Sequence, residues 1–228
     1  MIDPIIGKTK MNYTEPDLIM SALVTIDTQR DFSLPGAPAE IPGTLDVIPN
    51  MVRLLTAYRH YGLPIIHIVR LYRTDGSNVD LSRRGMIEQG TRIVEPGTDG
   101  AELAPDLKPS SDAKLDADLL LSGAVQQWGQ KEYVIYKSRW GAFYDTPLHD
   151  HLGRLGVNTL VVCGCNFPNC PRTTIYEASE RDYRIVLVDD AVSGIYERGK
   201  DELRNIGVHL LSTDTLIQRL GTINESER

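Results

Sequence analysis

Five short runs of consecutive apolar residues punctuate the chain, each of strand length rather than helix length. They are residues 22–27 (ALVTID), 64–69 (PIIHIV), 133–136 (YVIY), 158–164 (NTLVVCG) and 184–190 (RIVLVDD). Their richness in Val, Ile and Leu predicts strands buried on both faces. Between them the period changes. Val47, Ile48, Met51, Leu54, Leu55 and Tyr58 recur every three or four residues and Gly62 supplies a stop, which predicts a helix over 46–62. Residues 146–156, 171–183 and 197–207 have helical spacing too. Strands separated regularly by helices imply βαβ units. The predicted fold is α/β: a doubly wound, mostly parallel sheet of five or six strands with helices on both faces, as one domain over residues 1–228.

Residues 70–131 break the pattern. They carry Gly, Pro and charges of both signs with weak periodicity, and so long an irregular stretch in a compact domain predicts a pocket wall or lid. Composition narrows the class further. The 228 residues are 41% hydrophobic, enough for a substantial core, and 24 Lys and Arg against 31 Asp and Glu give a net charge of −7. With no basic stripe, nucleic acid is not an expected partner. Residues 1–20 lack the pattern of a leader, and no apolar run is long enough to span a membrane. Cys163, Cys165 and Cys170 fall within eight residues, too close to frame a disulfide scaffold, and a reducing cytoplasm fits them.

Candidate chemistry follows from topology. In open parallel sheets, ligands sit beyond the carboxyl ends of the strands. Asp27 ends the first predicted strand, Lys137 follows the third, and the cysteines follow the fourth, so all converge on one edge. The cysteines could hold a metal, form a redox pair, pack, or react. Cys163 and Cys165 read as small packing hydrophobes, and a C-x-C-x₄-C zinc site lacks a fourth ligand at a suitable distance. Cys170 precedes Pro171, a residue suited to a helix start, where free N–H groups and the helix dipole favour a thiolate. His67 reads as a core histidine, and His149 and His151 as solvated. No G-x-S-x-G, G-x-G-x-x-G or P-loop pattern occurs.

Three segments, LVTIDTQRDF, YVIYKSRWGAFYDTPL and the run from Gly156 to Ala191 containing VVCGCNFPNCPRTT, together resemble the isochorismatase-like cysteine hydrolases. They occur in that family's order and span most of residues 20–191. The resemblance implies a triad of Asp27, Lys137 and Cys170, with Thr174 and Ala178 also matching. It implies an oxyanion hole from the backbone N–H groups of Asn166 and Cys170, beside a cis peptide at Cys165–Asn166. The implied activity is hydrolysis of a small C–N substrate (carboxamide, carbamoyl compound, ureide or lactam) through a thioester. A non-catalytic binding module and an isochorismatase-type vinyl ether hydrolase are the alternatives. Residues Cys165–Tyr183 also resemble streptothricin-hydrolase-like members, which open a cyclic amide. The family's assemblies imply a homodimer or homotetramer.

Departures from the family pattern narrow the expectation. Phe167 and Pro168 stand at positions usually polar, Pro171 where Val is common, and Asp182 where Gly is usual. The Asp and two His that bind metal in nicotinamidases have no counterpart around His67, so no metal and no cofactor is expected, and nicotinamide is not the implied substrate. Candidate substrate contacts are Gln29, Phe32, Arg70, Tyr72, Trp140 and Phe167, with water as co-substrate. Arg70, Arg73, Arg83 and Arg84 on the approach favour an anionic or polar substrate.

Overall fold

A computed structural model describes residues 12–226. The first part of the stretch read for a leader, and the extreme ends of the expected domain, lie outside the described residues. The chain runs β1 (Ser21–Ile26), α1 (Arg30–Ser33), α2 (Thr44–Tyr61), β2 (Ile65–Val69), α3 (Leu81–Glu88), α4 (Ala117–Leu121), β3 (Gln126–Gln127), β4 (Glu132–Tyr136), α5 (Leu148–Arg154), β5 (Thr159–Gly164), α6 (Cys170–Ser179), β6 (Arg184–Val192), α7 (Glu197–Asn205), β7 (His209–Leu211) and α8 (Thr213–Ser226). The strands form one seven-stranded sheet in the order β3-β4-β2-β1-β5-β6-β7. All pairings are parallel except β3 with β4.

The doubly wound fold is as expected, with more strands. The two extra ones have physical reasons for escaping notice. β3 is a two-residue antiparallel pairing of glutamines, and β7 is three residues long, so neither shows an apolar run. The terminal helix α8 was not expected either, although Leu216 and Leu220 bury its inner face.

Alternation along the buried strands sorts the core into two layers. Leu23, Ile65, Val69, Val161 and Cys163 pack under α2 and α8, while Ala22, Val24, Ile26, Ile66, Ile68, Leu160 and Val162 pack under α5, α6 and α7. Helix α2 starts two residues earlier than expected and stops at Gly62, whose left-handed φ of 62° a side chain would resist. No described helix is long and apolar enough to cross a membrane.

Residues 70–131 are more ordered than a lid. Val79, Ile93, Val94, Leu103, Leu107 and Leu120 are buried in the α2 layer, and two 3-10 turns lie at Asp99–Ala101 and Pro105–Leu107. Single apolar residues set among charges leave no period to read, yet each fills a place in the core. Of the helical segments in this stretch, α3 alone buries no side chain.

Within the α2 layer lies one polar row. Thr25 Oγ1 is 2.8 Å from His67 Nδ1, His67 Nε2 is 2.9 Å from Glu132, and Arg59 donates two hydrogen bonds to Glu132. Burial pushes the His67 pKa down, keeping the ring neutral. Because a carboxylate only accepts, Nε2 carries the proton and Nδ1 accepts from the Thr25 hydroxyl. His67 is the satisfied core histidine expected. Burial alone would raise the Glu132 pKa, but Arg59 and His67 outweigh it and hold the carboxyl at about 2.

Both shifts make the protein acid-sensitive. His67, depressed below its usual 6.5, contributes stability above that pH and loses it as pH falls. Glu132 contributes above its unfolded value near 4.5 and loses it toward pH 2, a total of about 3 kcal/mol. Denaturant unfolding at pH 7, 5.5 and 4 should show falling stability in the parent. Glu132→Gln should be weaker at pH 7, by about 3 kcal/mol, with a flatter acid limb. Equal parent stability at pH 7 and pH 4 would contradict this account.

Candidate active site

Strand order reverses at β1, which has β2 on one side and β5 on the other. The crevice beyond the carboxyl ends of these strands is where such sheets bind ligands. Asp27 directly follows β1, with a left-handed φ of 51° and its N–H bonded to Ile68 O at 3.0 Å. Asp tolerates this region better than most residues, and here it turns the carboxylate into the crevice end of the sheet. Lys137 follows β4, its N–H held by Val69 O at 3.0 Å. The two side chains meet: Nζ lies 2.8 Å from Asp27 Oδ2. The ammonium also donates to Arg139 O and Trp140 O, at 3.3 and 3.0 Å, so all three of its protons have acceptors. Asp27 Oδ1, by contrast, is buried without a hydrogen-bond partner.

Cys170 opens α6, and its thiol feels the charges of both members of this pair. Gly164 ends β5 at φ 119°, with its Cα so near β1 that an added Cβ would sit 2.3 Å from Ile26 O. The Cys165–Asn166 peptide that follows is cis. Neither the N–H of Asn166 nor that of Cys170 finds an acceptor among the described residues. Cys170 is 4% exposed. Burial and then the negative charge of Asp27 push its thiol above the ordinary value, while Lys137 and Arg70 pull it down and do not prevail. This reverses the expectation of a resting thiolate: the helix start alone does not overcome desolvation beside a carboxylate.

Helix α6 also braces the loop after β4. Thr174 Oγ1 donates to Cys170 O at 2.8 Å and accepts from the Ala142 N–H at 3.1 Å, and Glu177 accepts from the Phe143 N–H at 2.9 Å. The loop carrying the Lys137 acceptors is thereby tied to the helix carrying Cys170. A Cβ at Gly141 would lie 2.1 Å from the Glu177 carboxylate and displace that side chain from the Phe143 N–H.

Around Cys170 stands a cluster built on Arg70. Its guanidinium is fully buried, with Nη1 bonded to Tyr72 Oη at 2.9 Å and Asp80 Oδ2 at 2.7 Å, and Nη2 3.7 Å from Cys170 Sγ. Burial would lower the Arg70 pKa, but Asp27, Tyr72, Cys170 and Asp80 outweigh it and hold the charge. The Trp140 ring lies 5.1 Å from the Arg70 guanidinium, and Arg83 from α3 sits over Trp140 and Phe32 at 5.4 and 5.1 Å. Of the six expected substrate contacts, Arg70, Tyr72, Trp140 and Phe32 therefore gather here.

The other two do not. Gln29 Nε2 donates to Arg70 O and Ala101 O, and its Oε1 accepts from the Arg70 N–H, so the amide is a saturated clamp on backbone. Phe167 is buried against Tyr196 and Gly199, anchoring α7 instead of lining the crevice. His151 is likewise not solvated: it is buried edge-on against Tyr133, with centroids 4.4 Å apart. Asp80 was missed altogether. Its position before the helical stretch of α3 reads as an ordinary cap, whereas its carboxylate turns inward to Arg70. Cys163 and Cys165 pack in the α2 layer and Cys170 in the other, and the Cys165 thiol donates to Asp27 O at 2.8 Å. No group of three or more His, Cys, Asp or Glu suited to a metal occurs among the described residues. A surface cavity of about 480 Å³ beside Asn158, Tyr183 and Gly207 lies at the amino ends of β5 and β6, away from this chemistry.

Fold and geometry together define a three-layer α/β protein with a buried Asp–Lys pair opposed to a cysteine at the first position of a helix, at the switch point of its sheet. The chain belongs to the isochorismatase family, whose domain pattern, described as "Isochorismatase domain", matches residues 21–117 and 116–215. It is 31% identical to a probable inactive nicotinamidase of Arabidopsis thaliana, over 82% of this chain and 90% of that one. It is 27% identical to an N-carbamoylsarcosine amidase of Arthrobacter, over 90% of this chain and 73% of the relative. A solved isochorismatase family protein from Desulfovibrio vulgaris superposes with a TM-score of 0.75 at 34% identity, covering 89% of this chain and 98% of the other.

A raised Cys170 pKa has a measurable consequence. At pH 7 the thiol should stay largely protonated, so iodoacetamide should modify Cys170 slowly, and faster as pH rises. Asp27→Asn removes the charge that disfavours thiolate, and alkylation at pH 8 should quicken. Cys163, pushed up to about 12 by burial, should stay unmodified in the native protein. A Cys170 midpoint below pH 7, read by intact mass, would refute the assignment.

Proposed function

We propose that the protein is a cysteine hydrolase that cleaves the C–N bond of a small carboxamide, carbamoyl compound, ureide or lactam. One observation carries this reading: Cys170 faces a buried carboxylate whose free oxygen, Asp27 Oδ1, is the one not held by Lys137. In the reaction Asp27 takes the Cys170 proton as sulfur attacks the carbonyl carbon, so the thiolate forms only when it is used. The free N–H groups of Asn166 and Cys170 receive the developing oxyanion. The C–N bond then breaks, ammonia or an amine leaves with the proton from Asp27, and a thioester remains. Water, deprotonated by Asp27, attacks the thioester, and cysteine departs with the proton. Lys137 stays charged throughout and holds Asp27 in place.

Membership of the isochorismatase family and similarity to a carbamoylsarcosine amidase support an amide-directed hydrolase. The similarity to a protein described as a probable inactive nicotinamidase favours a second reading, a binding module that keeps the crevice for a ligand. The free buried cysteines suit a reducing compartment.

Ammonia release from a panel of primary amides and ureides, together with the mass gain of one water on ring opening of lactams, separates the two readings. Cys170→Ser should lose about 10⁴-fold or more in kcat, and Asp27→Asn about 10²–10⁴-fold. Lys137→Met should lose activity together with about 3–5 kcal/mol of stability, because it strands a buried carboxylate. Unchanged turnover in Cys170→Ser would exclude the mechanism.

A further inference from the structure

Resting on the hydrolase reading, we propose that the substrate is an anionic amide, whose free carboxylate is set a short spacer from the scissile carbonyl and is received by Arg70, with Arg83 as its outer counter-ion. The argument begins with an unsatisfied donor. Arg70 Nη1 is committed to Tyr72 and Asp80, but Nε is buried with no hydrogen-bond partner. Nε and Nη2 form one edge of the planar guanidinium, and Nη2 is the nitrogen 3.7 Å from Cys170 Sγ. This edge is the fork that binds a carboxylate side-on through two parallel N–H donors. Burying such a donor unpaired is unfavourable, so the crevice is built to have it filled.

Charge counting gives the sign of what fills it. Arg70, Lys137 and Arg83 place three positive charges around the cysteine, against two negative charges from Asp27 and Asp80. Moving the proton from Cys170 to Asp27 leaves that excess unchanged. Arg139 adds to it, its Nη1 held only by the neutral carbonyls of Asn78 and Ser138. A ureide or carboxamide oxygen could accept from Nε but would leave the charge uncompensated, whereas a monocarboxylate balances the cluster. Trp140 lies against both guanidiniums and Phe32 against that of Arg83, which brings flat apolar surface to the cluster for the spacer to use. The short distance from Nη2 to Sγ limits that spacer to one to three carbons.

The test uses the amide series malonamate, succinamate and glutaramate against the neutral diamides of equal length, with calorimetric binding of the corresponding dicarboxylates as a readout independent of turnover. The parent should prefer at least one monoamide over its diamide by roughly 100-fold in kcat/KM, and should bind the matching dicarboxylate. Arg70→Gln should lose that preference. Arg83→Ala should weaken carboxylate substrates roughly tenfold through KM and so shrink their preference over the diamides. Equal or better turnover of diamides would overturn the proposal and leave the hydrolase reading standing. Dicarboxylate binding that is absent, or unaltered in both variants, would overturn it as well. Arginine-dependent dicarboxylate binding without turnover of any amide would sustain the carboxylate subsite and count against the hydrolase.

Discussion

The buried ion pair between Asp27 and Lys137 is the constraint around which the carboxyl edge of the sheet is arranged. Two charges taken out of water cost several kcal/mol each, and attraction repays this only when the remaining hydrogen-bonding capacity is met. Lys137 meets it through the carbonyls of Arg139 and Trp140, which forces the chain after β4 to curl back over the ammonium. That curl needs its own support, and Thr174 and Glu177 of α6 provide it. The pair thus fixes the loop, the loop docks on the helix, and the helix presents Cys170. The one atom left out of the accounting, Asp27 Oδ1, is the atom the proposed reaction would use.

Arg70 extends the same logic outward. Its backbone is clamped by Gln29 and its Nη1 by Tyr72 and Asp80, so the guanidinium is aimed rather than loosely placed. A side chain that long and charged is rarely buried without partners. Three of its contacts hold it in position and one edge faces the sulfur. The proposed carboxylate subsite and the proposed nucleophile are therefore neighbours within one cluster, while the Thr25, His67, Glu132 and Arg59 row, deeper in the α2 layer, contributes acid-sensitive stability.

Helix α3 stands apart from both. It buries nothing, yet sends Arg83 over the rings of Phe32 and Trp140. Its attachment to the cluster is polar, through Asp80, Ser82 and Tyr72. Residues 70–131 thus combine a firmly packed wall with one lightly held helix, a division that their uniform composition conceals.

The sequence by itself determined the doubly wound sheet, because continuous Val, Ile and Leu runs cannot be satisfied except between two covering layers. It also determined that Asp27, Lys137 and Cys170 share an edge, since parallel strands place their carboxyl ends together. Tertiary structure alone decided the rest. Gln29 and Phe167 sit at positions adjacent to the site, yet backbone carbonyls saturate the first and α7 claims the second. Asp80 became the partner of Arg70 only through the path of an aperiodic loop. The Cys170 thiol is raised because desolvation and a facing carboxylate are properties of the packed interior, and a chain written as letters carries no dielectric and no distance.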